Sequence, residues 1–138
     1  MKKNLLAYDG SDPARKALDS ALNLAHKYEA ELFVLTVVQP PEFGEDVETE
    51  AVIENSREYH KKMLAPARQL IAASGGIKAH FDVAVGHPAE QIIYYADRHE
   101  VDLIVLGDRG RSKFVRLLLG SVSKHVAQYA DRQVLIVR

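Results

Sequence analysis

The chain has 138 residues, 47% of them hydrophobic and 27% charged, which suits one globular domain with a real core. With 18 basic against 19 acidic residues it is almost neutral, so a bulk electrostatic binder of nucleic acid or membrane is excluded. The absence of cysteine excludes a disulfide scaffold, a thiolate zinc site and a cysteine nucleophile.

The N-terminal MKKNLLAYDG holds an apolar run too short for a signal peptide or a membrane span, so a cytoplasmic location is expected. Asn4 to Tyr8 reads as a buried strand ended by Asp9-Gly10-Ser11. Asp12 is expected to cap the helix that follows, with Pro13 in its first turn. Ala14, Ala17, Leu18, Ala21, Leu22 and Ala25 recur at helical spacing and give it one apolar stripe. Leu32 to Val38 is almost wholly apolar, the mark of a strand covered on both faces.

Gln39 to Thr49, with two prolines and a glycine, reads as a loop, and Glu50 to Ser74 as a long helix. Pro66 predicts a kink or break within that helix. Glu42 to Glu58 carries seven acidic residues and one arginine, a solvated segment on composition alone. Ile77, Ala79, Phe81, Val83 and Val85 alternate as a third strand. Gly86-His87-Pro88 opens a helix with Ala89, Ile92, Ile93 and Ala96 inward. Val101 to Leu106 is a fourth, buried strand. Val122, Val126, Ala127 and Ala130 mark a last helix, and Gln133 to Val137 a closing strand.

Strands alternating with helices imply an α/β fold with a mostly parallel sheet and helices on both faces; the expectation for the whole chain is a single-domain, open five-stranded parallel sheet in strand order 3-2-1-4-5. Ligands of such sheets bind beyond the carboxyl ends of the strands, where the order reverses. That draws notice to Asp9, Val37-Val38 and the stretch GDRGRSKFVRLLLGS, Gly107 to Ser121. Glycines admit backbone N–H groups close to an anion, and a helix start at Gly120-Ser121 adds free N–H groups and the positive end of a dipole. Gly107 to Lys124 holds five basic residues and one Asp. The same residues also suit a strand-to-helix connector with a solvated basic face, and composition does not choose between the two.

Other signatures are missing. The sequence has no GxxxxGKS/T phosphate loop, no GxGxxG after the first strand and no GxSxG elbow. His26, His60, His80, His87, His99 and His125 are scattered without an i, i+4 pair, so no histidine metal site is expected. His87, before a proline at a helix start, suits a capping or turn role.

Gly107, two residues, Gly110, nine residues, Gly120 and Ser121 satisfy G-x2-G-x9-G-S/T without a gap. On this motif the chain resembles the universal stress protein family, in its UspA-like, ATP-binding-motif subgroup. The DGS turn, the long central helix, Gly-His-Pro and the closing VLIV strand extend the likeness over residues 1–138, a single universal stress protein domain. The resemblance implies binding of ATP, or AMP or ADP, with Mg2+ carried on the phosphates.

It also implies the site, residue by residue. Ala7, Tyr8 and Val37 would border adenine through their backbone, with Asp9 beside the ribose or a magnesium-bound water. Leu106 and Gly107 would line the ribose. Arg109, Gly110, Gly120, Ser121, Val122 and Ser123 would hold the phosphates. Asp108 departs from the Ser, Thr or Asn more frequent in the family; it is expected to turn outward or to pair with Arg109 or Arg111. The LLL before Gly120 is expected to pack the motif's last glycine onto the sheet. The closing strand is expected to form an edge that pairs with its copy in a homodimer, through Val134 and Ile136. No general base stands ready for an attacking water, so slow or no hydrolysis is expected of a regulatory stress-response protein. A nucleotide-independent interaction module, and an ATP hydrolase or phosphotransferase, are the competing readings.

Overall fold

The computed structural model describes residues 2–40, 47–108 and 120–138. The elements run β1 (Lys3–Ala7), α1 (Asp12–Tyr28), β2 (Glu31–Val38), α2 (Val47–Ser74), β3 (Ala79–Val85), α3 (Pro88–Arg98), β4 (Leu103–Gly107), α4 (Ser121–Tyr129) and β5 (Gln133–Val137). All five strands are parallel, in the expected order β3-β2-β1-β4-β5.

Side-chain alternation along the strands divides the core into two layers. Leu6, Leu32, Val34 and Val105 face α1 and α2, with Leu18, Leu64, Ala67 and Ile71 above them. Leu5, Phe33, Leu35, Ile104 and Leu106 face the opposite way, toward Ile92, Tyr95 and Val126 of α3 and α4. Strands β1, β2 and β4 are buried along almost their whole length, which explains their near-continuous apolar sequence. Because β1 continues through α1 to β2 on one side and pairs β4 on the other, the sheet changes direction at the β1/β4 boundary.

Several local expectations are corrected. Ser11, not Asp12, caps α1: its backbone is extended and its hydroxyl accepts the Ala14 N–H at 3.2 Å. Asp12 instead occupies the first helical position, where its charge suits the helix dipole. α2 begins at Val47, inside the stretch expected to be loop. Of the kink or break expected at Pro66, the break does not occur: the helix continues to Ser74, with Leu64, Ala67 and Ile71 around the proline buried on the sheet to offset the lost helical bond. In α4 the inner face is formed by Ser123 and Val126, while Ala127 is exposed. In α3 the inner face gains Tyr95, whose hydroxyl donates to Asp82 at 2.5 Å. Burial and that carboxylate push the Tyr95 hydroxyl pKa upward.

Among the described residues no helix is long and apolar enough to cross a membrane.

Candidate functional site

The carboxyl ends of β1, β2 and β4 lie side by side, so Ala7, Val37 and Leu106 reach one edge of the sheet together. On the α3/α4 side the apolar floor there is incompletely covered. Ala7, Val37, Ala84 and Val122 are only partly buried, although they pack on the sealed cluster around Leu35 and Leu106. The α1/α2 side of the same end is closed by Tyr8, whose side chain is buried and whose N–H donates to the Leu35 carbonyl at 2.9 Å. An apolar shelf thus opens on one face only, at the point where the sheet reverses.

Its rim is polar. Asp9 follows Tyr8 and accepts the Ser11 N–H on Oδ1 at 2.9 Å, which closes the turn into α1. Gly10, at φ 79°, provides the left-handed backbone this turn requires. Gly107 has a different task. A Cβ there would stand 2.6 Å from Pro13 Cβ and 2.8 Å from the Pro13 main-chain carbon. Glycine at this position therefore lets the end of β4 touch the first turn of α1.

Gly120 is the N-cap of α4, with extended backbone and no side-chain cap. The N–H groups of Ser121, Val122 and Ser123 open the helix, where no acceptor exists within the helix itself. They carry the positive end of its dipole toward the shelf. Ser121 is exposed, while Ser123 is 3% exposed. The Ser123 hydroxyl lies 2.7 Å from the Asp108 carbonyl and 3.0 Å from the Gly120 carbonyl. The Gly120 N–H donates to the same Asp108 carbonyl at 2.6 Å, and the Asp108 N–H donates to Val137 at 2.9 Å. One carbonyl thus ties the start of α4 to the end of β4.

Asp108 is 5% exposed, which corrects the expectation that it turns outward. The triangle with Gly120 and Ser123 holds its backbone at the sheet's edge. Arg109 and Gly110, with Arg111 and the LLL segment, lie outside the described residues.

Of the sequence-predicted residues, the structure therefore gathers Ala7, Tyr8, Asp9, Val37, Leu106, Gly107, Gly120, Ser121, Val122 and Ser123 at one end of the sheet. It separates them by role. Ala7, Val37 and Val122 stand half-open, whereas the side chains of Tyr8 and Ser123 face inward. His125, in the sequence one of six scattered histidines, is half-buried one turn after Ser121, and its ring centre lies 5.8 Å from that of His87. The four-residue step from Ser121 was the available signal, since it places both on one helix face. His87 itself holds the N-cap position of α3 through its carbonyl, which accepts the Gln91 N–H at 3.0 Å, without a side-chain cap. No group of three or more metal-ligating side chains converges among the described residues.

The sequence profile of the universal stress protein family matches residues 1–138. The chain is 37% identical over 151 aligned positions to the universal stress protein YxiE of Bacillus subtilis, covering 99% of this chain and 98% of that protein. Among solved structures, the universal stress protein UspA from Lactobacillus plantarum superposes with a TM-score of 0.90 at 27% identity, over 99% of this chain and 97% of that one. A universal stress protein in complex with cAMP superposes with a TM-score of 0.78 at 28% identity, over 99% of this chain and 97% of that one.

Proposed function

This chain belongs to the universal stress protein family, and from that premise we propose that it binds an adenine nucleotide at the carboxyl end of its sheet, in a regulatory stress-response role. The observation that carries this reading is the placement of the glycine motif. Gly107 ends β4 beside β1, and Gly120 starts α4 as an uncapped helix N-terminus over a half-open apolar shelf. A base needs an apolar surface, and phosphates need N–H donors; the two stand together here. The similar solved protein in complex with cAMP supports the same ligand class.

In this reading the base lies on Ala7, Val37 and Leu106, bordered by the backbone of Tyr8, and the ribose lies between Asp9 and Gly107. Phosphates are held by the N–H groups of Gly110, Ser121, Val122 and Ser123, by the Ser121 hydroxyl, and by Arg109. Gly120 and the Ser123 hydroxyl buttress that turn through the Asp108 carbonyl. ATP is the principal ligand, with AMP or ADP as related occupants. Mg2+ arrives on the phosphates and touches the protein at most through water at Asp9, in keeping with its reluctance to dehydrate.

Turnover is slow or absent, since catalysis of phosphoryl transfer needs a group that positions the attacking water. The protein acts in the cytoplasm, as a homodimer joined along β5, where Leu135 is exposed and Val134 and Ile136 are only partly covered.

The test is equilibrium binding of fluorescent ATP to the intact chain and to Gly110→Val, with hydrolysis followed in parallel. Binding by the wild type and its loss in the variant is the expected result. No binding at about millimolar ATP refutes the reading and favours a nucleotide-independent interaction module. Turnover above about 1 s⁻¹ makes the protein an ATP hydrolase or phosphotransferase instead.

A further inference from the structure

α3 and α4 pack side by side with both N-termini at the carboxyl end of the sheet. This brings together two histidines 38 positions apart, His87 at the N-cap of α3 and His125 in the second turn of α4. Their ring centres are 5.8 Å apart and their planes are inclined at 51°. That separation lies within the roughly 4.5–7 Å found between the centres of paired rings, and the tilt makes it an inclined contact rather than a stack. Neither imidazole hydrogen-bonds to a described residue. His125 is further held from one side by Tyr129, whose ring packs edge-on at 4.9 Å.

The spacing matches a shared metal ion. A zinc–nitrogen bond of about 2.0–2.1 Å puts each ring centre about 3.2 Å from the metal, so two imidazoles at a tetrahedral angle have centres about 5.3 Å apart. The observed separation is within a small side-chain rotation of that value. His87 is exposed and His125 half-buried, so water reaches the gap and can fill the remaining coordination positions.

We propose that His87 and His125 together hold a divalent transition-metal ion of the zinc type, beside the first turn of α4. Imidazole pairs select Zn2+, Ni2+ or Cu2+ over Mg2+ or Ca2+, which prefer oxygen ligands. The site is distinct from magnesium carried on a phosphate and does not depend on nucleotide binding. With two protein ligands it is an exchangeable site. It gives the protein a means of sensing a metal ion one helical turn from Ser121.

The experiment is calorimetric titration of the untagged chain with Zn2+ in a non-chelating buffer, without nucleotide. Wild type, His87→Ala, His125→Ala and His80→Ala are compared, each checked for native circular dichroism. His80 serves as the control because it sits at the opposite end of the sheet, bonded to Glu31. One equivalent of Zn2+ should bind to wild type and to His80→Ala, and binding should weaken at least about tenfold in each of the other two variants, as each loses a metal bond. Adding excess Mg2+ should leave the titration unchanged. Absence of binding to wild type, undiminished binding by His87→Ala or His125→Ala, or loss in His80→Ala would each overturn the proposal.

Discussion

The Ser123 hydroxyl donates to the main-chain carbonyl of Asp108 across 2.7 Å, joining the first turn of α4 to the end of β4. Asp108 follows β4 and Gly120 is the N-cap of α4, so this bond fixes the start of the helix against the end of the strand. Ser123→Ala removes a buried hydrogen bond worth about 1 kcal/mol. The Asp108 carbonyl keeps the Gly120 N–H, so no larger penalty follows. Urea denaturation should show that loss with an unchanged slope, and nucleotide affinity should fall through misplacement of the turn.

Gly107→Ala tests the contact between β4 and α1. The new methyl would meet main-chain carbon of Pro13 at 2.8 Å, and backbone cannot rotate aside as a side chain can. Overpacking of this kind costs about 1–3 kcal/mol. The midpoint of denaturation should drop accordingly. An unchanged midpoint would show that the two elements separate without cost.

Asn4 in the central strand is fully buried, and neither polar atom of its side chain has a protein partner among the described residues. It lies between Leu32 and Leu103 in register. Replacing an unsatisfied amide by an apolar, β-branched side chain should be neutral or stabilising, so Asn4→Val is expected to raise stability by up to about 1 kcal/mol. A clear loss in thermal or chemical unfolding would assign the amide a structural bond.

Asp102 accepts the N–H groups of Lys3 and Lys2 at 3.0 and 2.8 Å, and these bonds hold its carboxyl below the ordinary aspartate range. A group with a depressed folded pKa stabilises the fold above its unfolded value and loses that contribution as pH falls through the folded one. Asp102→Asn should therefore cost stability at neutral pH and flatten the decline below about pH 4. Denaturant midpoints of both proteins between pH 7 and pH 3 should converge on acidification.

The β5 edge is open to a charge test. Leu135 is 36% exposed on it, and a lysine on an edge strand opposes pairing with another chain. Sedimentation should give a dimer for wild type and a monomer for Leu135→Lys with native circular dichroism. A wild-type monomer at micromolar concentration removes the dimer reading.

The central place of β1, β2 and β4 was legible because they are buried on both faces and so carry continuous apolar runs, while the sequence of β3 alternates. The start of α2 was not legible. Val47 to Thr49 belong to a helix whose place is fixed farther along, where Leu64, Ala67 and Ile71 meet the sheet. The glycine spacing revealed where the candidate site lies but not what each residue does there. Gly107 is glycine because Pro13, 94 positions earlier, comes within contact of it. Likewise, His87 and His125 become neighbours only when α3 and α4 pack together. Both relationships belong to the folded arrangement and leave no local periodicity to read.

The central position of β1 has a consequence for assembly. Its pairing with β2 joins residues 28 apart, as in Lys3 with Glu31, whereas its pairing with β4 joins residues 99 apart, as in Asn4 with Leu103. Closing the longer loop costs more chain entropy and comes with slower folding. The three strands on the β3-β2-β1 side can zip together through nearby contacts, but the shelf between Ala7 and Leu106 exists only after the distant pairing is made. A ligand at that shelf would therefore register that the longest-range strand pairing of the sheet has formed.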